Sequence, residues 1–158
     1  MRYVDAFGLA RRSGANEGKS TASRSITAVS GARRSSSYCS LRVRNHSRSL
    51  FRFSARLQKK VKLPIACFGH AGDGNIHVNI MVPAGDEAQR ARAGVAEREL
   101  FTRVVALEGS ISGEHGIGFA KAPFLRLELS ETQIALMQRV KAAFDPHGIL
   151  NPGKIFHG

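Results

Sequence analysis

"CFGHAGDGNIHVNIMV", running from Cys67 to Val82, decides how this chain is read. Its second half alternates, with Ile76, Val78 and Ile80 on one face of an extended strand and Asn75, His77, Asn79 and Met81 on the other. The preceding run "KLPIACF" suits a buried strand, and the glycine-rich turn between the two predicts a hairpin. A plain turn needs one or two glycines. Here Asp73 stands between Gly72 and Gly74, with His70 and His77 on either side. The hairpin therefore has the makings of a site.

Working outward, the spacing predicts a helix from about Asp86 to Glu108. Asp86 is its cap, Phe101, Val104 and Val105 follow its period, and Gly109 is its stop. "GSISGEHGIGFAK" is too rich in glycine for a helix and reads as a strand-like approach to a tight loop. "SETQ" opens a second helix with Ser130 as cap and Gln133 three residues on. Ile134, Met137, Val140 and Phe144 are its expected core stripe, and the tail "ILNPGKIF" reads as a docked, turn-forming segment. The fold class is α+β, without the alternating strand–helix order of a doubly wound sheet.

Charge divides the chain in two. Residues 1–60 hold 14 Lys/Arg against Asp5 and Glu17, whereas residues 61–158 hold 10 of each sign. Serine divides the same way, with 12 residues before Val61 and only Ser110, Ser112 and Ser130 after it. Residues 1–55 form a basic, Ser/Arg-rich segment with no sustained apolar period, and disorder is expected there. Three readings of the segment stand open: an organelle transit peptide, a nucleic-acid-binding tail, and a misplaced start or frame slip ahead of a genuine domain. The last is favoured because the composition changes abruptly. "GKS" at Gly18–Ser20 is no phosphate loop, since no glycine stands five residues before Gly18.

No apolar run reaches membrane-spanning length, so a soluble chain is expected. Two cysteines, Cys39 and Cys67, make no disulfide framework, and a reducing compartment follows: the cytoplasm, or the mitochondrion if the beginning is a genuine transit peptide. Cys67, in an apolar run, is expected to be buried.

Two loops share a pattern, Gly69-His-Ala-Gly72-Asp-Gly74 and Gly113-Glu-His-Gly116-Ile-Gly118. The glycine spacing is the reverse of the dinucleotide fingerprint, and it lets backbone approach a ligand. His70, His77 and Glu114 make a chemically sensible divalent-metal set, two imidazoles and a carboxylate that leave a position open for substrate. His77 and Asn79 share a strand face and can touch one ligand. His115 is then free for proton transfer. Taken singly, each histidine is more often a hydrogen-bonded structural residue, and Asp73 is a turn residue. His46, His147, His157 and Met81 are read as structural.

"PIACFGHAGDGNIHVNIMVP", "GSISGEHGIGFAKAPFL" and "FDPHGILNPGKIF" closely resemble the C-terminal part of FAD-linked 2-hydroxyacid dehydrogenases. That family of vanillyl-alcohol-oxidase-like flavoproteins includes glycolate oxidase and the D-lactate and D-2-hydroxyglutarate dehydrogenases. The likeness covers about residues 56–158 and nothing before Arg56. It implies a partial ferredoxin-like antiparallel cap domain over that span. It implies FAD and a divalent metal, zinc or manganese, as cofactors. By the resemblance His70, His77 and Glu114 are the metal ligands, Asn79 is a substrate contact, His115 is the base and Asn151 is a flavin contact.

The family's FAD-binding domain and the first half of its cap have no counterpart in the sequence. The chain is accordingly expected to be a fragment with little activity alone. The implied partners are a 2-hydroxy acid and either other subunits of a glycolate-oxidase-like complex or a separate chain carrying FAD. The reading from another class is a nucleic-acid-binding protein acting through the Arg/Ser-rich tail. The dehydrogenase reading expects no nucleic-acid partner, because no aromatic or groove-reading element accompanies the arginines.

Overall fold

The structure, a computed structural model, describes residues 34–70 and 72–156. Residues 1–33, with the "GKS" sequence, lie outside that span, as does His157. Three strands make one antiparallel sheet: β1 (Arg34–Arg42), β2 (Ile65–His70) and β3 (Asn75–Pro83), in the order β1-β3-β2. Helix α1 (Ser47–Val61) connects β1 to β2, and α2 (Glu87–Ala106) follows β3. A short turn of helix, α3 (Leu125–Glu128), and then α4 (Glu131–Phe144) follow, and the described residues continue to Phe156.

This is the split β-α-β arrangement of a ferredoxin-like fold, with β3 inserted between the two strands that α1 connects. A fourth strand would lie along the free edge of β1. Its place is marked by a single bridge, in which Arg42 and Ser110 exchange backbone hydrogen bonds of 3.0 and 2.8 Å. The strand-like approach expected of "GSIS" is thus one residue pair long. The sequence-based α+β class and antiparallel cap agree with this architecture.

The alternation in β3 sorts the two faces. Ile76, Val78, Ile80 and Val82 are buried on one side against α1 and α2, where Leu50, Leu57, Leu100, Phe101 and Val104 meet them. Each such side chain, fully buried, contributes about 1.5–3 kcal/mol. Cys39, Leu41 and Cys67 join the same core from the flanking strands, and both thiols are free. The hairpin turn needs Gly74: its φ is +74°, and a Cβ there would stand 2.8 Å from the Arg44 backbone.

The helix ends follow the expected chemistry. Asp86 caps α2 by accepting the Gln89 N–H at 2.8 Å, which holds its carboxyl below the usual range. Ser130 and Gln133 close a reciprocal capping box on α4. The left-handed residue that ends the α2 region is Glu108, at φ +54°, rather than Gly109.

Two further expectations are corrected. Disorder over residues 1–55 does not hold for residues 34–55, which form β1 and more than half of α1. The apolar period there is real but carried by few residues. Leu50, Ser54, Leu57 and Val61 make the buried stripe of α1, with a serine among them and basic residues around them. The second correction concerns α4. Ile134 is buried, but Val140 is 51% and Phe144 82% exposed, so the predicted stripe is not a core stripe within this chain. Among the described residues no helix is long and apolar enough to cross a membrane.

Candidate functional site

The second face of the sheet is polar. β3 presents Asn75, His77 and Asn79 there, β1 presents Tyr38 and Ser40, and β2 presents Phe68 and His70. The register sets Ser40 and Phe68 directly opposite His77, with Tyr38 opposite Asn79 and His70 opposite Asn75. The glycine loop after α2 lies across this face. Gly113 N–H donates to the Ser40 carbonyl at 2.9 Å, and Glu114 N–H to the Ser40 hydroxyl at 3.2 Å. That hydroxyl in turn donates to Asn75 Oδ1 at 3.1 Å. The approach is possible only without a side chain, since a Cβ on Gly113 would stand 2.4 Å from Ser40 Oγ.

So held, the loop delivers Glu114 and His115 to His77. Glu114 Oε1 lies 3.3 Å from His77 Nε2 and 3.6 Å from His115 Nε2. Among the described residues, these three bring one ligand atom each within 4.8 Å of one another. His77 is buried, while Glu114 and His115 open to solvent. The imidazole of His77 packs against two aromatic rings, Tyr38 at 5.5 Å and Phe68 at 5.2 Å, which lie 6.4 Å from each other. Its Nδ1 is 2.6 Å from the Tyr38 hydroxyl. Loss of water, and secondarily the Glu114 charge, raise the Tyr38 phenol above its ordinary pKa.

Lys121 braces the arrangement from below. Its buried ammonium donates to the Ser40 carbonyl at 2.8 Å, and burial lowers its pKa against the opposing pull of Cys39, Glu97 and Glu128.

Each residue singled out from sequence has a definite place. His77, Glu114 and His115 come together. His70 is exposed, two register pairs away from Phe68, and is not among the three clustered residues. Asn79 shares the face, and its buried Oδ1 has no hydrogen-bond partner among the described residues. Asn151 is exposed on the C-terminal segment, which docks beside the site loop: Ile155 N–H donates to the Gly118 carbonyl at 2.9 Å, and Lys154 Nζ lies 3.4 Å from the Phe119 ring centroid.

Tyr38, Ser40, Phe68 and Lys121 join the site without being marked by the sequence patterns. Phe68 is within reach of such reading, because period-2 pairing across the hairpin sets it opposite His77. Tyr38 and Ser40 fall in the segment whose composition suggests disorder.

A small split β-α-β sheet with a buried imidazole, a carboxylate and a second imidazole clustered on its open face defines a domain of mixed α+β class whose cluster holds donor types that could take a divalent cation. The sequence pattern of the family described as "FAD linked oxidases, C-terminal domain" matches residues 42–155, and the chain belongs to that family. The match begins at Arg42 rather than Arg56, which takes α1 into the family domain.

Among curated relatives, glycolate oxidase subunit GlcD of Bacillus subtilis is 44% identical over 97 residues, covering 61% of this chain and 21% of that protein. D-2-hydroxyglutarate dehydrogenase of Stutzerimonas stutzeri is 44% identical over 94 residues, covering 58% of this chain and 20% of its own length. D-lactate dehydrogenase of Anaerostipes hadrus is 36% identical over 104 residues, covering 65% and 22% respectively. The chain thus spans about a fifth of the length of these relatives.

Proposed function

We propose that this chain is the substrate- and metal-binding part of an FAD-dependent oxidoreductase that converts a D-2-hydroxy acid, of the glycolate or D-lactate kind, to its 2-oxo acid. The observation that carries the reading is the convergence of His77, Glu114 and His115 on the open sheet face. The donor set fits a divalent cation such as zinc or manganese. Tetrahedral bonds of about 2.0–2.1 Å set neighbouring donor atoms about 3.4 Å apart. The 3.3 Å between His77 Nε2 and Glu114 Oε1 is that spacing.

His77 and Glu114 would hold the cation, with His70 as the further imidazole on the same face. Bound there, a divalent ion supplies Lewis acidity toward a substrate oxygen. His115, 3.6 Å from Glu114 and open to solvent, would take the hydroxyl proton at a ring nitrogen. Asn79 offers its unpartnered Oδ1 as an acceptor for the same substrate. FAD, when bound, would supply a two-electron acceptor for hydride from the substrate carbon. Asn151 would be the residue that meets the flavin: it is an exposed amide next to the exposed apolar side chains of Ile149 and Leu150.

Zinc titration of the purified chain tests the site. One cation per chain is expected, lost in His77→Ala and Glu114→Gln, weakened in His70→Ala and retained in His115→Ala. Binding that survives His77→Ala sinks the metal reading. Loss in His115→Ala would make His115 a ligand and remove it as the base. In a whole protein containing this chain, His115→Ala is expected to lower kcat by about 10²–10⁴-fold.

A further inference from the structure

We infer that Tyr38 is the positioning residue of His77, its hydroxyl serving the imidazole both with and without a cation on the opposite ring nitrogen. The inference rests on the metal reading above, and it deepens that reading by naming what sets the tautomer of the buried imidazole.

An imidazole can offer Nε2 to a cation only if its one proton sits on Nδ1. The contacts between these side chains favour the reverse arrangement. His77 Nε2 faces Glu114 Oε1 at 3.3 Å, and a carboxylate oxygen beside that nitrogen favours the tautomer with the proton on Nε2. Nδ1 is then an acceptor, and the group 2.6 Å from it is the Tyr38 hydroxyl, which donates. When a cation takes Nε2, the ring proton relocates to Nδ1 and donates to Tyr38 Oη. The phenol hydrogen turns away, with room to do so because Tyr38 is 40% exposed. No proton is gained or lost by the pair. A hydroxyl can both donate and accept, so it bonds the ring in either state, whereas a carbonyl or an ammonium would bond it in one only.

The packing confines the ring to this exchange. The rings of Tyr38 and Phe68 both pack against His77, with 15° and 27° between the planes, and His77 is 8% exposed. Tyr38 also stacks on His115 at 5.2 Å, so one ring keeps both imidazoles in register with Glu114. Tyr38 lies ahead of residues 42–155, the span that the family pattern covers, and its role rests on this geometry.

The experiment is nitrogen NMR of the histidine side chains together with zinc titration, on the full chain and on Tyr38→Phe. The substitution keeps the stacked ring and removes only the hydroxyl. In the metal-free chain, His77 is expected to show a protonated Nε2 and a bare, hydrogen-bonded Nδ1. Zinc should exchange the two signatures. In Tyr38→Phe the Nδ1 signal should move to that of an unbonded nitrogen, and zinc affinity should fall by about 10–100-fold, the range for removing a hydrogen bond behind a metal-ligating histidine.

A metal-free ring protonated on Nδ1 overturns the inference from the unmodified chain alone, whatever the variant does. Identical His77 signals in the two proteins overturn it as well, as does zinc affinity unchanged within twofold. If the unmodified chain takes up no zinc, the metal reading fails by itself, and the metal-free nitrogen signals still decide the role of Tyr38.

Discussion

The Ser40 hydroxyl accepts the backbone N–H of Glu114 at 3.2 Å, across 74 residues of sequence. That contact ties the loop carrying Glu114 and His115 to the strand opposite His77. Ser40 is wholly buried, and its hydroxyl also satisfies Asn75 Oδ1. Ser40→Ala therefore strands a buried acceptor and a loop N–H together. The expected loss is about 1–3 kcal/mol in urea unfolding, with weaker zinc binding alongside. An unchanged unfolding midpoint would show that the loop is held without Ser40.

Gly113 makes the same approach sterically possible. Its added Cβ would meet Ser40 Oγ at 2.4 Å, Asn75 Oδ1 at 2.5 Å and the Leu41 carbonyl at 3.1 Å. Gly113→Ala is expected to cost about 1–3 kcal/mol and to move Glu114 out of reach of His77. In the other glycine loop, a methyl group placed on Gly72 would have nothing within 4 Å. Gly72→Ala should stay within about 0.5 kcal/mol of the parent. Equal effects from the two substitutions would contradict the close-approach account.

Leu50 tests whether α1 is part of the folded domain. It is fully buried in the core, on a helix whose first half lies in the segment that composition alone marks as disordered. Leu50→Ala should destabilise by about 2–5 kcal/mol in chemical unfolding. A negligible change would restore the boundary at Arg56.

How much of this is legible from sequence depends on whether a residue's partners are local. The β3 alternation, the Asp86 cap and the Ser130–Gln133 box are decided within a few residues, and the structure keeps each of them. β1 is illegible because it covers the core with one face only, through Cys39 and Leu41, while its remaining residues are largely serine. α1 hides because Ser54 occupies a position in its buried stripe. In the site, residue type points to His77, Glu114 and His115, and spacing cannot choose between His70 and His115. The six residues between His70 and His77 place His70 opposite Asn75, diagonal to His77 rather than beside it. Tyr38 and Ser40 require the β1–β3 register, which no local pattern encodes.

The exposed side of α4 gives a prediction of the opposite sign. Val140 and Phe144 follow the helical period, yet both project to solvent in this chain. Val140→Ser and Phe144→Ser should each change unfolding free energy by less than about 0.5 kcal/mol. A loss of several kcal/mol from either would mean that the helix face is covered within the chain.

Stability should fall at alkaline pH through Cys39. Burial, then the neighbouring Glu97 carboxylate, push its thiol from 9.0 up to about 12. Between those values the unfolded chain has lost the proton and the folded chain keeps it, so folding is opposed increasingly as pH rises. The thiol's contribution is fully present below pH 9.0 and is lost progressively toward 12. The slope for one such group is at most about 1.4 kcal/mol per pH unit. Cys67, also raised by burial, adds a fall of the same sign. Lys121 acts oppositely: its lowered pKa means that the unfolded chain binds the proton more tightly, which favours folding as pH rises toward 10.5. The difference between the parent and Cys39→Ala isolates the first thiol. In urea unfolding at a series of pH values, the variant should decline less steeply above pH 9.0. Parallel declines would mean that Cys39 ionises as freely in the folded chain as in the unfolded one.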